Sequence, residues 1–267
     1  MDRALASALA HRWHPVAAPL SDRSVSRLIE ALDLHAGNRV LDLGCGSGEW
    51  LQRALVAAPG ATGVGVDTSG PALDTAWAGA VSRGLTDRLS FVQADASTWT
   101  ASTCTASTGS GSGERAAAFD AVLCVGVGHV FGGPAGTMAA ARRHLAPGGR
   151  VLLGEGFWEG TPDRSVLDSL GAAEDELTDL PALVTTMGVA GFEPGWGHVS
   201  SAEEWDDYEW SWTGALAAWA LTEGVGAAAA EALELARSHR RAWLGGYRNR
   251  LGFLTVVLRE TGTPAGG

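Results

Sequence analysis

Three aspartates close short apolar runs: Asp42 in VLDLGCGSGEW (40–50), Asp67 in GVGVD (63–67) and Asp95 in LSFVQAD (89–95). Farther on, His129 in VGVGHVFGG and Glu155 in GEGFWEG follow two more such runs. Carboxylates in these places accept hydrogen bonds from hydroxyls and amines, and they favour cations. A histidine or carboxylate beside a bound substrate can take its proton. The loop after Asp42 carries Gly44, Gly46 and Gly48. A glycine loop leading into a helix presents backbone N–H groups, and such loops commonly hold phosphates. Here Asp42 precedes the first glycine, and Glu49 stands where a dinucleotide loop takes its third. Two acids beside a pyrophosphate repel it by about 1 kcal/mol each or more. The loop therefore prefers a ligand with a positive centre, and a nicotinamide-dependent oxidoreductase is disfavoured.

The elements that must position these residues follow from hydrophobic periodicity. Segments 39–43, 63–67, 89–95, 119–125 and 150–156 read as strands, and 49–58 and 136–146 between them read as helices. Strands alternating with helices give a parallel sheet covered on both faces. APGGR (146–150) reads as a turn, and 21–34 reads as a helix before the first strand. Beyond residue 156 the pattern changes to two short helices in 166–192, a sixth strand near 191–201 and a seventh at 252–260. A helical hairpin falls between those last strands. Its first helix opens on the capping box SAEE (201–204) and carries Trp205, Tyr208, Trp212, Leu216 and Trp219 on one stripe; the second spans about 227–244. The stripe reads as core, with an aromatic wall for a planar or cationic substrate as the alternative. Segment 100–118 is small and polar and reads as a surface loop, with a lid as the lesser alternative.

Taken in order, these motifs resemble those of the class I S-adenosylmethionine-dependent methyltransferases, over roughly residues 36–160. VLDLGCGSG resembles the first motif, FDAVLCVGVGHVFGG the fourth, and LAPGGRVLLGEGFW the one after it. The sulfonium and ammonium of this cofactor suit the acid-flanked loop. The resemblance implies a Rossmann-like, doubly wound seven-stranded sheet, mostly parallel with an antiparallel last strand, plus a helical insertion. It implies that Asp42, Gly44, Cys45, Gly46 and Gly48 cradle the cofactor and that Asp67 receives the ribose hydroxyls. It further implies that the Asp95 carboxylate and the Ala96 N–H contact adenine. Cys124 is expected to line the methionine part. Thr68 either caps the next helix or touches the adenosine. Asp42 has a plain helix-capping alternative, and Cys45 a reactive-thiol one.

Methyl transfer from a sulfonium is an in-line displacement, so the protein must align the acceptor and exclude water. His129 and Glu155 are the candidate catalytic groups, with an orienting or structural histidine as the alternative. Trp13 and His14 in HRWHP and Trp158 are expected to face the acceptor. The Asn-Pro-Pro-aromatic tetrad of nucleic-acid amine methyltransferases is missing. The chain resembles small-molecule methyltransferases of the UbiE-like kind, which implies transfer to an O, N or C atom. A cofactor-binding regulatory or partner subunit that no longer methylates is the alternative.

Composition is consistent with this. The 267 residues include 19 basic ones, all arginine, against 30 acids, for a net charge of −11. Such a chain lacks the basic footprint of a nucleic-acid binder. No apolar run approaches the roughly 20 residues of a membrane helix. The three cysteines, Cys45, Cys104 and Cys124, form no C-x-x-C pair, so neither a disulfide framework nor a metal site is expected, and the cytoplasm is the default. The expected organisation is a helical cap over 1–35, a cofactor core over 36–160, and a C-terminal part over 161–267 whose insertion, about 202–248, shapes the acceptor site. No feature sets an oligomeric state.

Overall fold

The computed structural model describes residues 1–101 and 118–261. Most of the polar 100–118 loop, Cys104 included, lies outside the described residues. The elements run α1 (Arg3–Ala10), α2 (Asp22–Ala31), β1 (Arg39–Leu43), α3 (Glu49–Ala57), β2 (Thr62–Asp67), α4 (Gly70–Ser82), β3 (Leu89–Gln93) and β4 (Phe119–Val125). They continue with α5 (Gly128–Phe131), α6 (Pro134–Arg142), β5 (Leu145–Trp158), α7 (Arg164–Leu170), α8 (Leu180–Val189) and β6 (Phe192–Val199). The hairpin α9 (Ala202–Thr222) and α10 (Gly226–Ala242), a π-helical turn (Trp243–Tyr247) and β7 (Leu251–Glu260) complete the chain.

One seven-stranded sheet has the order β3-β2-β1-β4-β5-β7-β6. Only β7 runs antiparallel to its neighbours, pairing β5 on one side and β6 on the other. Its reversal has a consequence for the site. Residues at the start of β7 lie beside the end of β5, with Gly156 opposite Phe253 and Glu155 opposite Leu254. Both faces of the sheet are packed. One apolar cluster joins Val40, Leu51, Leu55, Leu123 and Leu152, and the other joins Leu41, Leu43, Val66, Val122 and Leu153. Burial on both faces explains why these strands read as near-continuous apolar runs.

Two boundaries differ from the sequence reading. APGGR, read as a turn, is absorbed into a longer β5 that starts at Leu145 and pairs with Phe119 before a register irregularity. Asp95 does not end β3. That strand stops at Gln93, and the Asp95 carboxylate instead closes a turn, accepting from the Ser97 N–H at 2.8 Å and its hydroxyl at 2.7 Å. A short polar acid competes well for its own downstream backbone, which ends the ladder.

The cap and the hairpin are tied together by one carboxylate. Glu204 accepts from the Ser21 N–H at 2.9 Å and the Ser24 hydroxyl at 2.6 Å through Oε1. Its Oε2 accepts from the Ser201 N–H at 2.9 Å and meets His198 Nε2 at 2.7 Å. The capping box is present, and the same side chain also serves the start of α2. Burial works to raise its pKa, but hydrogen bonds from Ser24, Ser21, Ser201 and His198 outweigh it and hold the group at about 2. Glu204→Ala is expected to cost about 2–4 kcal/mol, read from the urea midpoint at neutral pH. The folded pKa lies below the ordinary value of 4.5. The stabilisation is therefore complete above that value and fades as pH falls through about 2. In acid, the variant and the parent converge. Deeper in the hairpin, buried Glu209 meets His239 Nε2 and accepts from the Tyr247 hydroxyl, both at 2.7 Å.

Candidate active site

The glycine loop joins β1 to α3 and is held by its neighbours' backbone. The N–H groups of Gly44 and Cys45 both donate to Val66 O, at 2.8 and 3.0 Å. The Gly46 N–H donates to Asp67 Oδ2 at 2.8 Å, and the Ser69 N–H to Asp67 Oδ1 at 2.8 Å. Each Asp67 oxygen thus takes one amide and keeps acceptor capacity for another donor. Gly48 has φ +69°, and a Cβ there would fall 2.9 Å from the Phe91 ring and 3.1 Å from Ala76 Cβ. Gly48→Ala combines left-handed strain with overpacking and is expected to lose about 2–3 kcal/mol, measured as a lowered thermal midpoint. At Gly44 (φ +74°) a Cβ would meet Val127 Cγ1 at 2.5 Å, so the loop sits hard against the end of β4. Gly46 has open space where its side chain would be.

Asp42 is 4 % exposed, and its Oδ2 has no hydrogen-bond partner. Burial, followed by the charge of Asp67, raises its pKa to about 7. A buried carboxylate held only by the Leu51 backbone, with one oxygen free and a second acid nearby, is an arrangement that a cation relieves. The capping alternative keeps a basis: the Leu51 N–H in the first turn of α3 donates to the Asp42 carboxylate, while Gly48, which precedes the helix, supplies no side-chain cap. Glu49 needs a correction. Its carboxylate does not add negative charge to the loop, because it is buried against Arg53 at 2.7 Å and Arg83 at 2.9 Å. The selectivity inferred from two acids falls to Asp42, joined by Asp67.

The remaining cofactor candidates separate. Ser69, not Thr68, caps α4 through the Ala72 N–H, leaving Thr68 exposed at the rim. Asp95 is exposed, and the Ser97 side chain and backbone hold its pKa below the ordinary carboxylate range. Ala96 beside it is buried. Cys124 has no exposed surface and sits in the core with Leu41, Leu43 and Val66. Its expected place along the methionine part is thereby corrected, because alternation along β4 turns it into a packed face. Burial pushes both the Cys45 and the Cys124 thiols up, so neither is a reactive thiolate and the reactive alternative for Cys45 is removed.

Next to the end of β4 opens a cavity of about 790 Å³ that brings His129 and Glu155 to one space. His129 stands on the short helix α5 and is exposed to it. Glu155 is 8 % exposed; its Oε1 accepts from the Gly156 N–H at 3.3 Å, and its Oε2 has no partner. Burial raises its pKa to about 7, opposed by that one backbone hydrogen bond. Gly128 lies so close to the carboxylate that a Cβ there would collide with Oε2. Trp205 and Tyr208 form an aromatic wall, their rings edge to face at 6.4 Å, and Phe253 contributes from β7.

The three substrate candidates are placed otherwise than expected. Trp158 is 4 % exposed, packed with Val166, Leu167 and Trp243, and its indole N–H donates to Glu174 O at 3.2 Å. It is core, because alternation at the end of β5 turns it away from Glu155's neighbourhood. Trp13 lies on the backbone of α9 at Gly214, with half of its surface in solvent. His14 stands behind the aromatic wall, edge-on to Tyr208 at 5.3 Å, with Nδ1 2.7 Å from Val16 O. What the site-residue reading missed includes Ala17–Pro19, the acids Asp175 and Glu176, Trp205, Tyr208 and Phe253. The aromatic stripe was the available signal for two of these. Its single-core reading holds only in part, since Leu216 is core while Trp205 and Tyr208 face the cavity.

The strand order, the glycine cradle with its buried acid, and the aspartate that ends β2 define a class I S-adenosylmethionine-dependent methyltransferase. A family model described as "Methyltransferase domain" matches residues 12–206, and the chain belongs to that family. It is similar to a methyltransferase of Geobacter sulfurreducens crystallised with S-adenosyl-L-homocysteine, with a TM-score of 0.83, 27 % identity, and coverage of 97 % of this chain and 98 % of that one. It is 30 % identical to the uncharacterized protein YjhP of Escherichia coli over 74 % of each chain. It is also 32 % identical to a ubiquinone biosynthesis O-methyltransferase of Aromatoleum aromaticum, over 55 % of this chain and 58 % of that one. S-adenosylmethionine is the cofactor, and when bound it supplies a methyl group already activated on a sulfonium. The buried Asp42 carboxylate, with its free Oδ2, and the glycine cradle fit that cation. Among the described residues, no helix is long and apolar enough to cross a membrane, and no group of three or more candidate ligands gathers for a metal ion.

Proposed function

We propose that the protein methylates an O, N or C atom of a small molecule held in the 790 Å³ cavity, with Glu155 as the proton acceptor. The observation that carries this is Glu155 itself: a carboxylate 8 % exposed on the lining of the cavity, with a single backbone hydrogen bond to hold it. A carboxyl group with a pKa near 7 takes a proton from a hydroxyl or ammonium at neutral pH more readily than an ordinary one. His129, on the same wall, orients the acceptor. In this reading Asp67 and Asp95 hold ribose and adenine, Ala96 and Thr68 border the adenosine, and Gly44, Cys45, Gly46 and Gly48 cradle the amino-acid end with Asp42. Residues 1–35 and the insertion 202–248 close and shape the acceptor site over the 36–160 core. The volume lies within the range of small-molecule sites, and the −11 net charge is unsuited to nucleic acid. The relationship to an O-methyltransferase of ubiquinone biosynthesis supports a small-molecule acceptor. The test is a screen of acceptors with labelled methyl donor, run on the parent, Glu155→Gln and His129→Asn. Turnover that survives both substitutions removes the catalytic assignment.

A further inference from the structure

The charge on the wall of the acceptor cavity is nearly all of one sign. Its lining carries three carboxylates, Glu155, Asp175 and Glu176. Among the described residues its only basic side chain is His129; no arginine lines it, and the chain has no lysine. Asp175 and Glu176 are exposed, on the segment between α7 and α8. That segment is seated at the end of β5, since a Cβ on Gly156, next to Glu155, would meet Leu177 Cδ1 at 3.4 Å. The two exposed acids thus edge the same space that Glu155 lines. Elsewhere the fold pairs its acids: Glu49 meets Arg53 and Arg83, and Asp206 meets Arg248. The ion pairs among the described residues leave all three cavity carboxylates without a basic partner.

The rest of the wall points the same way. Trp205, Tyr208 and Phe253 line the cavity, and aromatic rings attract cations, tryptophan most of all. Behind Tyr208 stand His11 and His14, with ring centroids 5.9 and 5.3 Å from its own. Burial, followed by the charge of His14, lowers the His11 pKa to about 4 against the pull of Glu209, so His11 adds no positive charge at neutral pH. An anionic acceptor would meet acids with no fixed cation to hold it. A cationic acceptor meets both carboxylates and rings. It must also lie beside a sulfonium, and two positive centres at contact repel each other. A surplus of carboxylates at the cavity offsets that repulsion.

We propose that the acceptor is a primary or secondary amine bound as its ammonium, so that the reaction is N-methylation. The proposal rests on the reading of this cavity as the acceptor site with Glu155 as proton acceptor. One N–H proton passes to the Glu155 carboxylate. The freed nitrogen lone pair then forms the bond to the methyl carbon while the carbon–sulfur pair withdraws onto sulfur. The product is again an ammonium, and the sulfur leaves as a neutral thioether. The test measures binding to the enzyme saturated with S-adenosylhomocysteine, at neutral pH, of three probes of matched size: 2-phenylethylamine, 2-phenylethanol and phenylacetate. The ¹⁵N-labelled indole of Trp205, assigned from Trp205→Phe, reports each titration. The amine is expected to bind about tenfold more tightly than the alcohol, and phenylacetate to give no saturable shift. Asp175→Asn combined with Glu176→Gln should weaken the amine about threefold and leave the alcohol unchanged, which also shows that the variant is folded. Alcohol or carboxylate binding as tight as that of the amine, or amine affinity untouched in the double variant, overturns the proposal and leaves the cavity as the acceptor site. A Trp205 signal unmoved by all three probes removes the acceptor assignment of the cavity as well. Turnover that survives Glu155→Gln while the amine preference holds removes the proton-acceptor assignment alone.

Discussion

In the Asp67→Ala protein, affinity for S-adenosylhomocysteine falls by about 10²–10⁴-fold, because two hydrogen bonds to a charged carboxylate contribute about 1.5–3 kcal/mol each. Titration calorimetry reads the loss directly. The variant removes more than ribose contacts. Asp67 also accepts from the Gly46 N–H, so the loop loses an anchor on the side that the proposed reading gives to the amino-acid end. Asp67→Asn separates these effects: its amide oxygen can keep the Gly46 contact, while its NH₂ replaces an acceptor with a donor. The expected order of affinity is parent, then Asn, then Ala. Asp42 should respond as well, since the charge of Asp67 is the second cause of its raised pKa. Binding of the cofactor's ammonium favours ionised Asp42, so near pH 7 the parent should release protons on binding, and less so in either variant. Retention of parental affinity by Asp67→Ala would sink the assignment of the β2 acid while leaving the fold intact.

Glu155→Gln is expected to lower kcat by about 10²–10³-fold, the usual scale for a lost general base, with S-adenosylhomocysteine affinity unchanged within about twofold. The substitution is close in shape, and a neutral amide at a site where burial already disfavours charge should not harm stability. The pH profile gives the sign. Glu155 is protonated below about 7 and ionised above it. If it accepts the proton, activity rises with pH through that value in the parent, and the rise is lost in Glu155→Gln. A parent profile that falls over the same interval would mean that the protonated form is the active one. His129→Asn should act mainly on acceptor KM, which distinguishes an orienting group from the proton acceptor.

Much of this was legible in the chain itself. Six apolar runs and one mixed segment, 191–201, led to the seven strands, and β1 and β4 were read to the residue. Local signals suffice there because parallel strands buried on both faces must be apolar throughout. The glycine spacing pointed to the loop after β1, since the backbone conformation at Gly44, Gly46 and Gly48 is a demand that few other residues meet. The capping box SAEE placed the start of α9 correctly. His129 and Glu155 could be singled out because chemistry at the ends of parallel strands follows from topology.

What the chain could not disclose depends on which side chains meet at long range. Glu49 is an acid in sequence, yet Arg83, 34 positions away, neutralises it. Glu204 reads as a capping residue, but its second set of partners lies 180 or more positions upstream. Trp158 and Trp205 are both tryptophans near a predicted site, and only packing decides that the first is core and the second a cavity wall. Phe253 carries no local signal at all; it reaches Glu155's neighbourhood because β7 runs backwards through the sheet. Local sequence determines backbone preference and periodicity, and these fixed the sheet and the loop. Charge pairing, burial and cavity shape are set by contacts between distant segments, so only the folded chain decided them.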